Sequence, residues 1–195
     1  MIDVTLIDSM GSDLTVVNAA RVSFNKKSDW DKDNTLTVTD SILISYLARH
    51  KHMSPFGHCF ATFHVKAPVF VARQLVKHKF LRWNEVSRRY VDHEPEFYEP
   101  TTWRKRSKDK KQGSAGEITL SYKTISTLAK NAVWYRKTYK KLIDDGIAPE
   151  QARMTLPLSL MTEWYWSGSL DAWSDMCKLR QSEDTQEETR LVANS

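Results

Sequence analysis

The chain has 195 residues, of which 41% are hydrophobic and 27% are charged, and its formal net charge is +5. This length fits one globular domain with its own core, and the positive charge favours phosphate-bearing ligands or nucleic acid as partners. The two cysteines, Cys59 and Cys177, match neither a CxxC pair nor a zinc-ligand spacing, so we expect neither a disulfide framework nor a metal site. The acidic N-terminus does not resemble a signal peptide and no apolar run reaches membrane-spanning length, which predicts a cytoplasmic protein, or one of the host cytoplasm if the chain is viral.

Strands and helices alternate in the N-terminal third of the chain. Alternation of apolar and polar residues is typical of strands, and apolar residues three and four positions apart are typical of helices. These patterns predict strands over 2–7 and 59–65, helices over 14–24 and from about 37 or 40 to 50, and a charged surface loop over 25–34.

The next helix is predicted to begin near Pro68, because the first turn of a helix does not need the amide proton that proline lacks. At about 100° per residue, its apolar residues fall on one arc and its polar residues on the other. The polar arc consists of Arg73, Gln74, Lys77 and His78.

The C-terminal half begins with a basic stretch over 101–116 that shows neither helical nor strand periodicity and is predicted to be a mobile insertion. A long amphipathic helix over 125–142 then needs a partner to cover its apolar stripe. A short helix from Pro149, a strand over 158–166, a helix over 170–179 and a polar tail complete the chain. This mixed order predicts a single α+β domain over 1–195.

The segment 77–90 (KHKFLRWNEVSRRY) packs five cations, a histidine, an acid and two hydroxyls into fourteen residues. One explanation is structural: cations at a helix end interact with the terminal carbonyl groups, and a solvated loop follows. The other is an anion pocket in which Arg89 and Lys77 hold a phosphate, and Ser87 and backbone amides complete the site.

The spacing of this segment resembles the signature of the flavin-dependent thymidylate synthases, Arg-His-Arg, seven arbitrary residues, Ser, and Arg-Tyr one residue later. Here Lys77-His78-Lys79, Ser87 and Arg89-Tyr90 stand at that spacing. The outer arginines of the signature are lysines, which keep the charge but lose the planar two-pronged donor. The likeness covers most of the chain, including 19–24, 50–58, 63–68, 152–153, 156–158 and 179–180.

The resemblance implies a central antiparallel sheet flanked by long helices, with FAD as cofactor. It also implies that dUMP is reductively methylated to dTMP with methylenetetrahydrofolate as carbon donor and NADPH as reductant. A homotetramer with sites shared between subunits is expected, with no membrane and no stable nucleic-acid partner.

Site residues follow from the same resemblance, position by position. Arg180 is implied to be catalytic, because a cation at the pyrimidine edge stabilises negative charge at N3 and O2 and makes C5 a better nucleophile. His52 is the second catalytic candidate, at the position of a family histidine near the flavin. The residues implied for dUMP are Gln74, Lys77, Glu85, Ser87, Arg88, Arg89, Arg153 and Arg180, and those for FAD are Ser54, Lys77, His78, Lys79, Ser169, Asp171 and Asp175.

Alternatives remain at several of these positions. His52 is equally explained as a cap or surface group at a helix end. For the basic residues 104–111 a solvated loop is favoured over attraction of anionic substrates or folate tails. The lysines of the signature leave room for 5-hydroxymethylation of dUMP by the same fold. A nucleic-acid-binding module is a hypothesis from a different class of function, and it is supported only by the basic stretch and the aromatic residues.

Overall fold

A computed structural model of the protein describes residues 1–109 and 113–195 and contains two antiparallel sheets. The larger sheet has four strands in the order β1-β2-β6-β3, and the smaller one is the hairpin β4–β5. The strands are β1 (Asp3–Met10), β2 (Phe60–Pro68), β3 (Arg82–Glu85), β4 (Trp103–Arg106), β5 (Ser114–Ile118) and β6 (Met161–Ser169). The predicted central antiparallel sheet is therefore confirmed.

Seven α-helices accompany the sheets in the described part of the chain. They are α1 (Asp13–Arg21), α2 (Val38–Arg49), α3 (Val69–Leu75), α4 (Tyr122–Asp144), α5 (Pro149–Ala152), α6 (Leu170–Arg180) and α7 (Glu187–Asn194). Short 3-10 helices lie at Val22–Phe24, Ser54–His58 and Arg153–Thr155. None of the described helices is long and apolar enough to cross a membrane.

One face of the four-stranded sheet is buried, because alternate side chains of a strand point to opposite faces. Val65 and Ala67 of β2 pack with Trp164 and Trp166 of β6 beneath the helices α3, α6 and α7. Each fully buried large apolar side chain contributes about 1.5–3 kcal/mol to the free energy of folding. This core holds α3, which carries Gln74, and α6, which carries Asp171, Asp175 and Arg180.

A second apolar cluster joins α1 and α2 to the 3-10 helix Ser54–His58. It contains Val16, Leu47, Phe56 and Cys59. The strand β1 reaches this cluster through Gly11, whose φ of +92° favours glycine and whose place allows no side chain, because a Cβ there would lie 2.7 Å from the sulfur of Cys59.

Two sequence-based predictions for the C-terminal half are wrong. The stretch over 101–116 contains β4 and the first part of β5, which pair as an antiparallel hairpin although the side chains show no alternation. Arg104 of β4 donates to Glu188, which lies 84 residues away along the chain. Whether the insertion is mobile stays a prediction, and its residues 110–112 lie outside the described residues. The expected polar tail contains helix α7, whose Val192 and Ala193 are buried against the main core.

The helix after Pro68 is shorter than predicted. Pro68 is the last residue of β2 and the N-cap of α3, and α3 ends at Leu75, so Lys77 and His78 follow the helix rather than lie on it. The amide of His78 donates to the carbonyl of Leu75 (3.1 Å), which turns the chain out of the helix. The strand predicted over 158–166 is observed three residues later, at Met161–Ser169.

Candidate active site

A cleft of about 590 Å³ opens between α3, the end of β3 and the residues that precede β6. Its lining includes five of the residues implied for dUMP, which are Glu85, Ser87, Arg88, Arg89 and Arg153. Arg73 of α3 adds a fourth arginine to a surface with a single carboxylate. Guanidinium groups are planar, two-pronged donors, so this concave positive surface suits a phosphate monoester.

A tight turn after β3 presents the signature residues Ser87 and Arg89 to the cleft. The amide of Val86 donates to the carbonyl of Glu163 (2.9 Å), and the amide of Tyr90 donates to the carbonyl of Ser87 (3.0 Å). The hydroxyl of Ser87 accepts from both the amide and the Nε of Arg89, each at 3.3 Å. The hydroxyl is thus engaged by a guanidinium, which suits anion binding better than nucleophilic catalysis.

The carboxylate of Glu85 is oriented by two donors. Its Oε1 accepts from the Thr162 hydroxyl of β6 (2.8 Å), and its Oε2 accepts from the indole Nε1 of Trp83 (3.1 Å). Each carboxylate oxygen keeps a free lone pair in this arrangement. Glu85 can therefore accept a hydrogen bond from a ligand without losing its own support.

Arg88 differs from the other arginines of the cleft, because it is only 9% exposed. Its Nη1 donates to the backbone carbonyl of His93, and its Nη2 lies 3.2 Å from the Nε2 of the same residue. Its guanidinium carbon lies 5.9 Å from the ring centroid of Tyr139 on α4. Both terminal nitrogens are engaged within the protein, so Arg88 contributes charge and holds the turn.

Three further predicted residues meet on the other side of α3, where α3 faces α6 and α7. The Nε of Arg180 donates to the Nε2 of His78 (3.0 Å), and the Nη2 of Arg180 donates to the backbone carbonyl of Gln74 (3.2 Å). We call Gln74, His78 and Arg180 together the Arg180 cluster.

Burial lowers the pKa of His78, and the neighbouring charge of Arg180 lowers it further. The imidazole is therefore neutral at physiological pH, and its proton lies on Nδ1 because Nε2 accepts from Arg180. Burial also lowers the pKa of Arg180. A guanidinium starts far above neutrality, so Arg180 keeps its charge.

The residues implied for FAD form two groups at opposite ends of α6. Ser54, Ser169 and Asp171 lie near its N-terminal end, beside the 3-10 helix Ser54–His58. The signature residues 77–79 lie near its C-terminal end, where His78 contacts Arg180. A rise of 1.5 Å per residue over Leu170–Arg180 puts these ends about 15 Å apart.

The donor and acceptor groups present fit a flavin dinucleotide. The Oδ1 of Asp171 is buried and has no hydrogen-bond partner among the described residues, although buried carboxylate oxygens are normally satisfied. It suits a hydroxyl or ring N–H of a bound ligand. Lys77 and Lys79 are exposed and supply positive charge for a diphosphate.

Asp175 and His52 are exposed. Asp175 lies 4.0 Å from Lys178, one turn further along α6. The ring of His52 lies nearly parallel to that of Tyr46 at a centroid distance of 6.1 Å, and Tyr46 also packs against His50 at 4.2 Å. The roles implied for Asp175 and His52 stay predictions.

Sequence reasoning missed several residues of the site. Thr162, which supports Glu85, carries no local signal, because its neighbour is 77 residues away along the chain. Gln186 and Thr189 contact Gln74 but lie in the segment that is predicted to be a polar tail. The three- and four-residue steps that separate Thr189, Val192 and Ala193 were the available signal for a helix there.

The chain is similar to known proteins over nearly its whole length. Residues 5–195 match the family model described as thymidylate synthase complementing protein. The flavin-dependent thymidylate synthase of Thermus thermophilus is 42% identical over 193 residues, which is 98% of this chain and 68% of that protein. That of Treponema denticola is 42% identical over 196 residues, which is 97% of this chain and 71% of that protein.

Solved structures show the same fold. The UMP/dUMP methylase PolB from Streptomyces cacaoi bound with 5-Br UMP has a TM-score of 0.84 at 32% identity, with 100% of this chain and 86% of that chain covered. The structure of PolB bound with 5-Br dUMP has a TM-score of 0.83 at 32% identity, with coverage of 100% and 87%.

Proposed function

We propose a specific reaction for this chain on the premise that it belongs to the thymidylate synthase complementing protein family, the flavin-dependent thymidylate synthases. The reaction is the reductive methylation of dUMP to dTMP, with methylenetetrahydrofolate as carbon donor and NADPH as reductant. Support comes from the match over nearly the whole chain and from the likeness to PolB, a UMP/dUMP methylase.

The observation that carries the proposal is the arginine-rich cleft. Arg73, Arg89 and Arg153 are exposed within it, and Ser87 stands beside Arg89. Charge-assisted hydrogen bonds from arginine to phosphate are strong and directional. We assign the phosphate of dUMP to these groups, with Glu85 accepting a hydrogen bond from the nucleotide.

Activation of the pyrimidine is assigned to Arg180. Its guanidinium is half-buried, and a charge acts more strongly on a neighbouring ligand where water is excluded. Placed against the pyrimidine edge, it stabilises the negative charge that develops at N3 and O2 when C5 attacks the one-carbon unit.

An enzyme thiol is not needed in this scheme. Burial raises the pKa of Cys59 and that of Cys177, so both thiols are protonated at neutral pH and are poor nucleophiles. Bound FAD, once reduced by NADPH, would supply the hydride instead. We assign Asp171 to a polar group of the flavin, and Lys77 and Lys79 to its diphosphate.

We further propose a homotetramer in which neighbouring subunits complete each site. In one protomer, five of the residues implied for dUMP line the cleft, whereas Gln74 and Arg180 belong to the Arg180 cluster on another side of α3 and Lys77 follows α3. Helix α4 also exposes part of its apolar stripe, with Ile125 52% and Leu128 40% exposed. An apolar stripe of this kind normally packs against another element, and a second subunit would cover it.

The test is product analysis on the purified protein with FAD, dUMP, methylenetetrahydrofolate and NADPH. Mass spectrometry is expected to show dTMP. A product that carries one additional oxygen would establish 5-hydroxymethylation instead. A well-folded protein that takes up no flavin, forms no product and binds nucleic acid in a strongly salt-dependent manner would refute the proposal.

A further inference from the structure

A chain of polar side chains joins the β4–β5 hairpin to helix α3 through α7. The Nη2 of Arg104 donates to the Oε1 of Glu188 (2.6 Å), and the other carboxylate oxygen accepts from the Nε2 of Gln186 (3.1 Å). The Oε1 of Gln186 accepts in turn from the Nε2 of Gln74 (2.5 Å). The chain ends where the hydroxyl of Thr189 donates to the Oε1 of Gln74 (3.2 Å).

The carboxylate of Glu188 determines which way both amides face. An ionised carboxylate only accepts hydrogen bonds, so Gln186 must turn its amino group toward Glu188 and its carbonyl toward Gln74. Gln74 must then turn its amino group toward Gln186 and its carbonyl toward the hydroxyl of Thr189. Reversing either amide would place two donors or two acceptors opposite each other.

Glu188, at the centre of these hydrogen-bonded side chains, is buried and paired with a cation. Glu188 is 4% exposed, and Thr189 is fully buried. Burial acts to lower the pKa of Arg104, but the hydrogen bond and charge of Glu188 outweigh it, helped by Glu187, and the pKa is raised. Arg104 is the paired cation that a buried carboxylate needs, and the second oxygen of Glu188 faces the amino group of Gln186, which sets the direction of the hydrogen bonds.

We propose that Glu188 is a positioning residue that acts through Gln186 to set the orientation of the Gln74 amide, and so decides which atoms Gln74 presents to dUMP. This inference rests on the proposed function and on the contact between Gln74 and dUMP that the family resemblance implies. The fixed amide keeps one N–H and one carbonyl lone pair free. The edge of the uracil ring carries an N–H group between two carbonyl oxygens. The orientation of the Gln74 amide therefore decides whether its donor and its acceptor face matching groups of the ring.

The test compares Glu188→Gln with Glu187→Gln in the flavin-loaded enzyme. Both changes remove one carboxylate charge and one partner of Arg104, but in the described structure only Glu188 contacts Gln186. A glutamine at position 188 can also donate, so the amides are free to reverse. We expect Glu188→Gln to raise the KM for dUMP about fivefold, the worth of roughly one hydrogen bond, with kcat little changed. Glu187→Gln should stay within about twofold of the wild type.

Combination with Gln74→Ala separates this inference from the proposed function. If Gln74→Ala leaves the KM for dUMP unchanged, the proposed contact is wrong and the inference fails with it. If Gln74→Ala raises the KM but Glu188→Gln does not, the contact stands and only the inference is overturned. In the Gln74→Ala background, Glu188→Gln should have no further effect, and additive effects would also overturn the inference.

A second variant covers the case in which Glu188→Gln does not fold. Gln186→Met interrupts the chain between the carboxylate and Gln74, and it leaves the Arg104–Glu188 ion pair intact. The same increase of about fivefold in KM is expected, and an unchanged KM in folded Gln186→Met overturns the inference.

Discussion

The cleft and the Arg180 cluster lie on two sides of α3, and their arginines differ in exposure and in hydrogen-bond partners. In the cleft, Arg89 and Arg153 are exposed and contact only neighbours close in the chain. In the Arg180 cluster, Arg180 is half-buried and donates both to His78 and to the backbone of Gln74, more than 100 residues away. Exposed cations suit capture of a phosphate, and a fixed cation suits stabilisation of charge at one position.

The largest expected effect is on turnover, from Arg180→Ala. Loss of a preorganised cation at the reacting ring should lower kcat by about 100-fold or more, while flavin stays bound. Steady-state turnover and the flavin absorbance spectrum measure the two effects. Arg180→Lys keeps the positive charge but loses the planar two-pronged donor, so its kcat should lie between those of the wild type and Arg180→Ala. Unchanged turnover in Arg180→Ala would remove the catalytic assignment.

A smaller effect, on binding alone, is expected in the cleft from Arg89→Ala. Loss of a charge-assisted hydrogen bond to phosphate should raise the KM for dUMP about 10- to 100-fold, with kcat at saturating dUMP little changed. The control is Lys140→Ala on α4, which removes an exposed cation that pairs with Asp144. Equal KM values for Arg89→Ala and this control would contradict the phosphate assignment.

The smallest effect concerns the pH dependence of stability through His78. Its pKa in the folded protein lies below the usual 6.5, so the neutral form is favoured by folding. The unfolded chain therefore takes up the proton first as the pH falls, and stability that is complete above pH 6.5 declines between that pH and the lowered pKa. Thermal unfolding from about pH 8 to pH 5 measures the decline.

The matched variant is His78→Gln, which has no titrating ring but retains an acceptor for Arg180. The melting temperature of this variant should fall less between neutral and acidic pH than that of the wild type. An identical decline of the melting temperature in both proteins would show that other titrating groups cause the loss of stability at acidic pH.

The predictability of the site differs between its two halves for a physical reason. Ser87 and Arg89 lie within one turn, and their arrangement follows from local chain geometry that a spacing pattern records. The Arg180 cluster depends on contacts between helices distant in the chain, which no local pattern contains. The division of neighbouring Arg73 and Gln74 between the two regions arises because successive helical side chains differ by about 100° in direction.

The fold shows the same division. Alternation and helical periodicity correctly located β1, β2, α1, α2, α4 and α6, because these patterns are expressed in local spacing, even in β1 and α4, where most residues are exposed in the protomer. The β4–β5 hairpin was missed, since its residues show no alternation and one of its side-chain contacts, Arg104 with Glu188, joins residues far apart in the chain. Helix α7 was missed because charged and polar residues surround its short buried stripe.

The amino-acid sequence by itself determined the family signature and the mixed order of strands and helices, because both are expressed in local spacing. Only the tertiary structure decided which polar groups meet across the fold, such as Gln74 with Gln186 at a separation of 112 residues. Such pairs require that the core holds their helices together, and their free energy depends on burial and orientation that no linear pattern specifies.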